Sequence, residues 1–564
     1  MTSQLAVAMR SPVGFSQKST LRIAAATILL LAVTYLVVMP LVRLQMLAFD
    51  GGFSQGYGQS DVMHIIVTTV ALGLGSLAIG LGLGTLLAWA STRLSHKSRI
   101  LPILPILPIV IPSVAAVSGW VFLLAPTPGY LNAAFRMLPW WSDLTDGPVN
   151  IYSMQWIIIL TGFTLTAFVY LFIREGFANI GADYLEAAAV CGSSSLRVFF
   201  TITLPLLRPA MIYGGGVALL LGLGQFTAPL LLGRNEGIVP ITTNIFNLMT
   251  DTPARYEAAS AMGTPLLIFG ILVVAAQKLG LGDQRRFVTH GGKGFRATER
   301  SSKLAAAVII IYTLVSIVLP LIGLVILALS KFWSANVIPS KWSLDNFAVI
   351  FSDPRITSAI TNSIVYSLVA VAILLPTGFA AASIILRTKR YPVIGKLLDF
   401  VIALPLGVPS VLFGVAFLLV YSRGPLPLYG TPWAMIIVYI TLMLPFATRM
   451  QMTTMLALGE SYQEASRMSG AGPWRTLAKI MLPLMRSSIG GAAALIFVLL
   501  THEFTASVLV RSIDTNVMGT ILFDFWSNGD YPAVAAIALV MSCVTAVGVA
   551  AAMVVGGSES LRRL

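Results

Sequence analysis

His502 and Glu503 are the ionisable pair with the least usual surroundings in this sequence. They stand together near the end of an apolar stretch, and Phe504-Thr-Ala follows them directly. An ionisable side chain at membrane depth is costly to bury, so such residues are functional candidates. Gln225, also followed by Phe-Thr-Ala, occupies the corresponding place 278 residues earlier. These polar side chains either take part in function or fix the register of neighbouring helices through a hydrogen bond.

Enzymatic chemistry finds little support elsewhere in the sequence. The four histidines fall in unrelated stretches, and the two cysteines are too widely separated to suggest a disulfide framework or a metal-binding cluster. A P-loop would need Gly-x-x-x-x-Gly-Lys followed by Ser or Thr to hold nucleotide phosphates, and the sequence contains no such string. We therefore expect no catalytic residues, no metal site and no cofactor bound by this chain.

The composition is that of a membrane protein. Hydrophobic residues make up 57% of the 564 residues, charged residues only 10%, and the mean hydropathy is +0.87. Soluble domains carry roughly a quarter of charged residues, so a soluble globule is excluded. The net charge of +14 does not indicate nucleic-acid binding, because basic residues of membrane proteins gather in cytoplasmic loops. We expect a lipid bilayer as a partner and no nucleic acid.

Apolar segments of membrane-spanning length occur on both sides of a polar linker. A helix needs about 20 apolar residues to cross a bilayer, and the sequence offers about twelve such segments, six in each part. We predict an all-α polytopic membrane protein built of two homologous six-helix halves. The predicted spans are 21–47, 63–90, 101–124, 152–173, 210–232, 257–277, 304–329, 359–386, 397–420, 432–455, 489–510 and 532–555.

The distribution of basic residues predicts the orientation of these spans. With a cytoplasmic N-terminus, the loops on the cytoplasmic side hold about three quarters of the 36 lysine and arginine residues, as the positive-inside rule requires. Both termini are then cytoplasmic. The predicted order is a tail at 1–20, a first half at 21–277, a basic linker at 278–303, a second half at 304–556 and a tail at 557–564. The linker is either a solvated tether or a contact for anionic lipid headgroups.

Two polar loops, residues 183–208 and 461–486, interrupt the halves at corresponding places, and we call them the first and second repeat loops. In the first, Asp183 and Glu186 form a helix N-cap signature, in which oxygen atoms accept from otherwise unpaired amides. The helix that begins there soon meets Gly192, the residue type that most readily adopts the left-handed conformation ending a helix. A short helix is therefore predicted.

The second repeat loop has the same pattern, with Ser461 and Glu464 at the start of the helix and Gly470 at its end. After each glycine a second helix is predicted, and it reaches Pro205 in the first loop and Pro483 in the second. Because proline lacks an amide hydrogen and its ring crowds the preceding turn, we expect both prolines to bend the chain before the next span.

These repeat loops resemble the Glu-Ala-Ala loop of the permease subunits of ABC importers. In that family the loop docks on the ATPase subunit, and small residues allow close approach of the two backbones. The second loop departs from the pattern at Ser466, where the first has alanine. The residues to which the resemblance assigns contact with the ATPase are Glu186, Ala187, Ala188, Gly192, Pro205, Glu464, Ala465, Gly470 and Pro483.

The resemblance covers nearly the whole chain and implies a fused permease, with both transmembrane halves in one polypeptide of a bacterial cytoplasmic (inner) membrane. It implies two copies of an ABC ATPase subunit as partners, with ATP and Mg bound there, and a periplasmic or extracellular substrate-binding protein. Transport would proceed by alternating access. The helix after each repeat loop lines the translocation path in this family, so Gln225, His502 and Glu503 are expected to face that path.

The second half is most similar to the permeases of ferric iron importers, especially from Glu503 to Val510 and around Asn528-Gly-Asp-Tyr. Thiamine, aminoethylphosphonate, phosphorylated sugars and polyamines stay open as alternative substrates. An ion-gradient-driven secondary transporter, which also has two similar halves, is the alternative from another class. Acids at membrane depth are nearly restricted to Glu503 and Asp399, so a proton relay is poorly supplied.

Overall fold

The fold is entirely helical within the part of the chain that the computed structural model describes, which confirms the predicted all-α class. In these residues nine helices are long and apolar enough to cross a membrane, or up to eleven if each of two bent pairs forms one span. The described residues are 17–95, 98, 100–178, 180, 187–188, 190–280, 302–334, 341–386, 392–423, 427–458 and 461–556.

The first part of the chain contains eleven of the α-helices that we number in chain order. They are α1 (Gln17–Leu47), α2 (Phe53–Tyr57), α3 (Val62–Thr92), α4 (Ser113–Leu124), α5 (Tyr130–Arg136), α6 (Met154–Ala178), α7 (Ser195–Val198), α8 (Leu204–Leu206), α9 (Arg208–Leu223), α10 (Ile241–Thr250) and α11 (Tyr256–Gly280).

The second part of the chain begins with α12, where the Ser302 side chain caps the helix by accepting a hydrogen bond from the Ala305 amide. The helices are α12 (Lys303–Thr313), α13 (Leu319–Ala328), α14 (Asp345–Ser352), α15 (Pro354–Leu386), α16 (Pro392–Gly407), α17 (Ser410–Arg423), α18 (Pro432–Leu458), α19 (Ser461–Met468), α20 (Pro473–Thr476), α21 (Leu482–Thr501), α22 (Ser507–Val510), α23 (Met518–Ser527) and α24 (Tyr531–Gly556).

The predicted span at 101–124 does not form one long helix. The chain instead makes a 3₁₀ helix from Leu104 to Ile109, and the twelve-residue α4 follows after Pro112. Prolines recur through this stretch, and each lacks the amide hydrogen that a continuous helix needs. The corresponding segment of the second half is also broken, because α16 and α17 meet at an angle of 109° next to Pro409.

The first helix of each half packs on the other half. Helix α1 lies against α16 and α17 of the second half, whereas α13 lies against α4 of the first half. Gly119 in α4 shows how close this contact is, because a Cβ atom there would lie 2.3 Å from the backbone oxygen of Pro320 in α13. The two halves are therefore interlocked by their first helices.

The helix that follows each repeat loop stops before it reaches the far side of the bundle. Helix α9 ends at Leu223 and α21 ends at Thr501, and each is followed by a short non-helical turn. The chain then forms a short helix, α10 or α23, before the last span of the half. Because one span separates them, α10 and α23 lie at the face opposite the repeat loops.

Candidate functional site

The second repeat loop is a pair of short helices joined at Gly470. Helix α19 ends at this glycine, which has φ +75°, and the Ala471 amide donates to the carbonyl of Ser466 at 3.0 Å. This bond across six residues, with a left-handed glycine inside it, is the Schellman ending of a helix. Gly472 and Pro473 then start α20 in the expected order. The predicted stop at Gly470 is confirmed.

The first repeat loop ends its first helix in the same way. Gly192 has φ +73°, and the Ser193 amide donates to the carbonyl of Ala188 at 3.1 Å, which is the same bond displaced by 278 residues. The Ser194 hydroxyl accepts from the Arg197 amide at 3.4 Å and so caps α7. The predicted N-cap, Asp183 with Glu186, lies outside the described residues, and Ala187 is exposed at the loop surface.

The two prolines that follow behave differently from each other. The chain bends by 64° between the segment that contains Pro205 and α9, as predicted. Pro483, in contrast, lies within a continuous helical stretch from Pro473 to Thr501, so the predicted bend there is wrong. A π-helical turn, Leu477–Met481, directly precedes Pro483, and this wide turn accommodates a residue that has no amide hydrogen.

Ser466, the departure from the Glu-Ala-Ala pattern, ties the two helices of the second repeat loop together. Its buried hydroxyl lies 2.7 Å from the hydroxyl of Thr476 in α20. The corresponding residues of the first loop are Ala188 and Val198, which form no such bond because neither has a hydroxyl. Both positions differ between the loops, so one polar contact takes the place of an apolar pair.

We expect the Ser466 to Thr476 contact to be a coupled pair. Replacing Ser466 with alanine should weaken the second repeat loop by about 0.5–1.5 kcal/mol, the net worth of a typical hydrogen bond. The double variant Ser466→Ala/Thr476→Val recreates the apolar pair of the first loop, so it should lose less stability than the sum of the single losses. Hydrogen exchange of the amides of α19 and α20 measures this, and additive losses would contradict the coupling.

Both repeat loops expose apolar side chains at corresponding positions. Val190 in the first loop and Met468 in the second are each 88% exposed. Trp474 in α20 is 81% exposed, and Tyr462 is about half exposed. Large side chains of this kind, exposed on small helices outside the bundle, are typical of a surface that another protein covers. Glu464 and Ala465 are also exposed on this surface.

Glu503 holds together the turn in which it lies. Its carboxylate accepts hydrogen bonds from the Ala506 amide at 2.8 Å and the Ser507 amide at 2.9 Å, and it also accepts from the Ser507 hydroxyl. The Tyr439 hydroxyl lies 3.2 Å from that same hydroxyl. Glu503 thus caps α22, because it satisfies amides that begin this helix.

Gln225 lies at the corresponding position in the first half and has less to satisfy. Proline occupies position 229, where the second half has Ser507, and proline has no amide hydrogen to donate. The Gln225 side-chain oxygen instead accepts from the hydroxyl of Thr161 in α6, so this residue forms a hydrogen bond to a neighbouring helix. Its side-chain nitrogen is buried without a hydrogen-bond partner.

His502 has a different environment from Glu503, although the two are adjacent. The imidazole lines a cavity of about 160 Å³ between α21 and elements of the first half, including Ser113, Thr164 and Trp120. Its Nε2 atom is buried without a hydrogen-bond partner. The first half has Gly224 at this position, so the imidazole is present on one side of the pseudo-twofold arrangement only. Sequence reasoning found the residue but not this cavity.

The second acid that the sequence places at membrane depth forms an ion pair. Asp399 in α16 and Arg449 in α18 approach to 2.7 Å, and both side chains are partly exposed. In the first half, the Tyr170 hydroxyl of α6 donates to the carbonyl of Pro102 at 2.7 Å, which links the corresponding segments. Asp399 therefore has a packing role in this structure, as a link between two helices.

A family model described as the inner membrane component of binding-protein-dependent transport systems matches this chain at residues 71–280 and again at 374–556. The two matches cover more than half of the chain, one in each predicted half. The chain therefore belongs to this family and is a permease subunit of an ABC importer. Members of the family are membrane transport subunits, and this chain is accordingly a transport subunit, with no enzymatic role, of the bacterial inner membrane.

Among its relatives, FbpB 1 of Haemophilus influenzae, named as a ferric transport system permease protein, is 25% identical over 81% of this chain and 72% of its own length. The ferric transport system permease protein FbpB of Actinobacillus pleuropneumoniae is 24% identical over 84% of this chain and 68% of its own. PhnV of Salmonella paratyphi A, named for 2-aminoethylphosphonate transport, is 27% identical over 40% of this chain and 84% of its own.

Proposed function

We propose that this permease imports ferric iron, driven by two copies of an ABC ATPase subunit that dock on the two repeat loops. The observation that carries the docking is the repeated geometry of the loops. Each helix ends at a left-handed glycine, and each exposes one large apolar side chain, Val190 or Met468, at the same place. ATP and Mg belong to the ATPase subunits, because the sequence of this chain has no P-loop.

Rigid helices suit the repeat loops to this role. Alternating access needs a displacement at the ATPase to reach the membrane helices as a rigid-body movement. In the second loop, α20 continues through a π-helical turn into α21 without a bend, so a push on α20 acts directly on the helix that carries His502 at its end. In the first loop the 64° bend before α9 gives the push a different direction.

We place the repeat loops, both termini and the basic linker at 278–303 on the cytoplasmic side. The support for this orientation is the excess of lysine and arginine in the loops on that side. The substrate-binding protein would then dock on the opposite face. That face carries bidentate ion pairs such as Arg511 with Asp524, at 2.6 and 2.7 Å. Arg355 also donates to Asp353 there and holds the pKa of that carboxyl below its usual value.

We further propose that the turns at Gln225 and at His502 and Glu503 lie beside the translocation path. Each turn interrupts a helix at a corresponding depth. Glu503 would act there as a positioning residue, since its carboxylate is used by its own turn. Gln225 and His502 each keep one buried nitrogen without a hydrogen-bond partner, and these atoms are available to water or to a passing solute.

Ferric iron is the proposed substrate because the relatives that match most of the chain are named for ferric transport. The PhnV match, which covers one half, makes 2-aminoethylphosphonate the second candidate. No metal-binding group of three or more His, Cys, Asp or Glu side chains is found among the described residues, so iron selection would rest with the binding protein.

The test is uptake by liposomes that contain the full chain, its ATPase subunits and its binding protein. We expect ATP-dependent accumulation of radiolabelled ferric iron and none of radiolabelled 2-aminoethylphosphonate. An ATPase variant that binds but does not hydrolyse ATP serves as the control and should stop uptake. Accumulation of the phosphonate alone would overturn the iron assignment, and uptake driven by a proton gradient without the ATPase would overturn the docking role of the repeat loops.

A further inference from the structure

Four phenylalanine rings form a closed cluster where the two halves meet. Phe226 and Phe504 stack with ring centroids 5.7 Å apart, and Phe246 and Phe523 approach to 6.0 Å. These two contacts join one half to the other. Within each half, Phe226 lies 5.6 Å from Phe246, and Phe504 lies 5.5 Å from Phe523. All four rings are at most 8% exposed, so the cluster is a continuous apolar plug.

The cluster has the same construction on both sides. One ring of each half comes from the turn that ends the long helix, directly after Gln225 or Glu503. The other ring comes from the short helix that follows, α10 or α23. These elements lie at the face opposite the repeat loops. The plug therefore occupies the seam between the halves at the far end of the two helices that the repeat loops lead into.

Separate contacts hold each pair of rings together within its own half. In the first half, the Thr242 hydroxyl of α10 donates to the backbone oxygen of Gln225. In the second half, α23 approaches the turn at Gly519, where a Cβ atom would lie 3.2 Å from the Cβ of Phe504 and 3.4 Å from the carbonyl oxygen of Glu503. Each short helix thus moves with its turn.

The contacts across the seam have no such reinforcement, since they consist of ring against ring. Aromatic pairs add little beyond the apolar surface that they bury, and they contribute no directional hydrogen bond that would resist separation. A rigid-body rotation of the halves would break the Phe226 to Phe504 and Phe246 to Phe523 contacts and leave the pairs within each half intact. The seam is therefore where the cluster can open.

We propose that this four-phenylalanine cluster is the outer gate of the permease, a plug that closes the path on the side of the binding protein and opens when the halves rotate. The inference rests on the proposed function, because it needs a solute path between the halves and a motor that rotates them. A plug of this kind excludes water and ions from the seam, since the rings offer neither charge nor hydrogen-bonding groups.

The test is passive leakage through the closed permease. The double variant Phe226→Ala/Phe504→Ala, reconstituted with its ATPase subunits in liposomes without ATP, should release trapped potassium ions at least tenfold faster than the unmodified protein. Phe417→Ala is the matched control, because Phe417 is fully buried in α17 away from the cluster and loses the same volume. Phe226→Leu/Phe504→Leu keeps an apolar plug and should stay nearly tight.

A double variant that folds and is as tight as the control would overturn the gate. A cross-link gives a second readout that does not depend on leakage. With Cys191 and Cys543 replaced by serine, cysteines at 226 and 504 joined by a short bifunctional reagent should slow ATP hydrolysis at least tenfold, and cleavage of the reagent should restore it. Unchanged hydrolysis in the cross-linked protein would also overturn the gate.

Failure of the gate and failure of the proposed function give different results. If the repeat loops do not dock on the ATPase, the unmodified chain will not stimulate ATP hydrolysis in the same liposomes. If they dock but the cluster is not the gate, hydrolysis is stimulated while leakage and the cross-linked rate do not change.

Discussion

Replacing Gly470 with valine should uncouple ATP hydrolysis from transport. Gly470 has φ +75° and a Cβ atom there would meet nothing within 4 Å, so the effect would come from backbone strain alone. A residue with a Cβ pays about 1–2 kcal/mol in the left-handed conformation, and a β-branched residue is a stronger outlier there. We expect α19 to lose its stop and transport to fall at least tenfold, while the membrane helices stay folded.

Two variants of the same loop serve as controls for this result. Gly470→Asn should keep most of the activity, because asparagine tolerates the left-handed conformation. Gly472→Ser adds a side chain two residues away, at φ −71° with nothing within 4 Å, and it recreates Ser194 of the first loop. This variant should transport normally. Transport and thermal stability are measured together, and normal transport by Gly470→Val would remove the loop from the coupling mechanism.

Replacing Glu503 with alanine should produce the largest loss of stability among the single changes considered. The carboxylate accepts from two backbone amides at 2.8 and 2.9 Å and from a hydroxyl. A buried donor left unsatisfied costs about 1–3 kcal/mol, so the two amides together should cost roughly 2–6 kcal/mol. We expect a clear fall in the unfolding temperature of the purified protein, together with loss of transport.

The first half supplies the comparison for this variant. Gln225→Ala should be milder, because position 229 is proline and presents no amide, and Gln225 accepts only one side-chain hydrogen bond. Glu503→Gln/Ser507→Pro recreates the first-half arrangement and should be more stable than Glu503→Gln alone. If Glu503→Ala unfolds at the temperature of the unmodified protein and loses transport only, the carboxylate acts on the solute and its capping role is minor.

The sequence predicted the repeat loops in some detail because their signals are local. The glycine stops, the Gly-Pro start of α20 and the 278-residue displacement all follow from residue types at short range, and Gly192 and Gly470 adopt the expected conformation. The bend expected at Pro483 was wrong, because a π-helical turn before it changes the hydrogen-bond register. No residue type in that stretch signals such a turn, so the sequence alone could not predict it.

The candidate site was predicted only in part. Hydropathy predicted a polar interruption at His502 and Glu503, but it could not separate their roles, because a cap depends on which amides the carboxylate reaches after the chain turns. The aromatic cluster depends on contacts between residues far apart in the sequence, such as Phe226 and Phe504. Each phenylalanine by itself is unremarkable in a chain with 28 of them. Only the folded arrangement brings these four together.

The interlocking of the first helices bears on how the protein is made in the cell. Helix α1 is synthesised first, yet the helices that cover its buried residues, α16 and α17, follow more than 300 residues later. During translation this helix must wait in the lipid with an incomplete partner set. Two separately expressed halves would therefore each expose a surface meant for the other, and we expect them to be stable only when produced together.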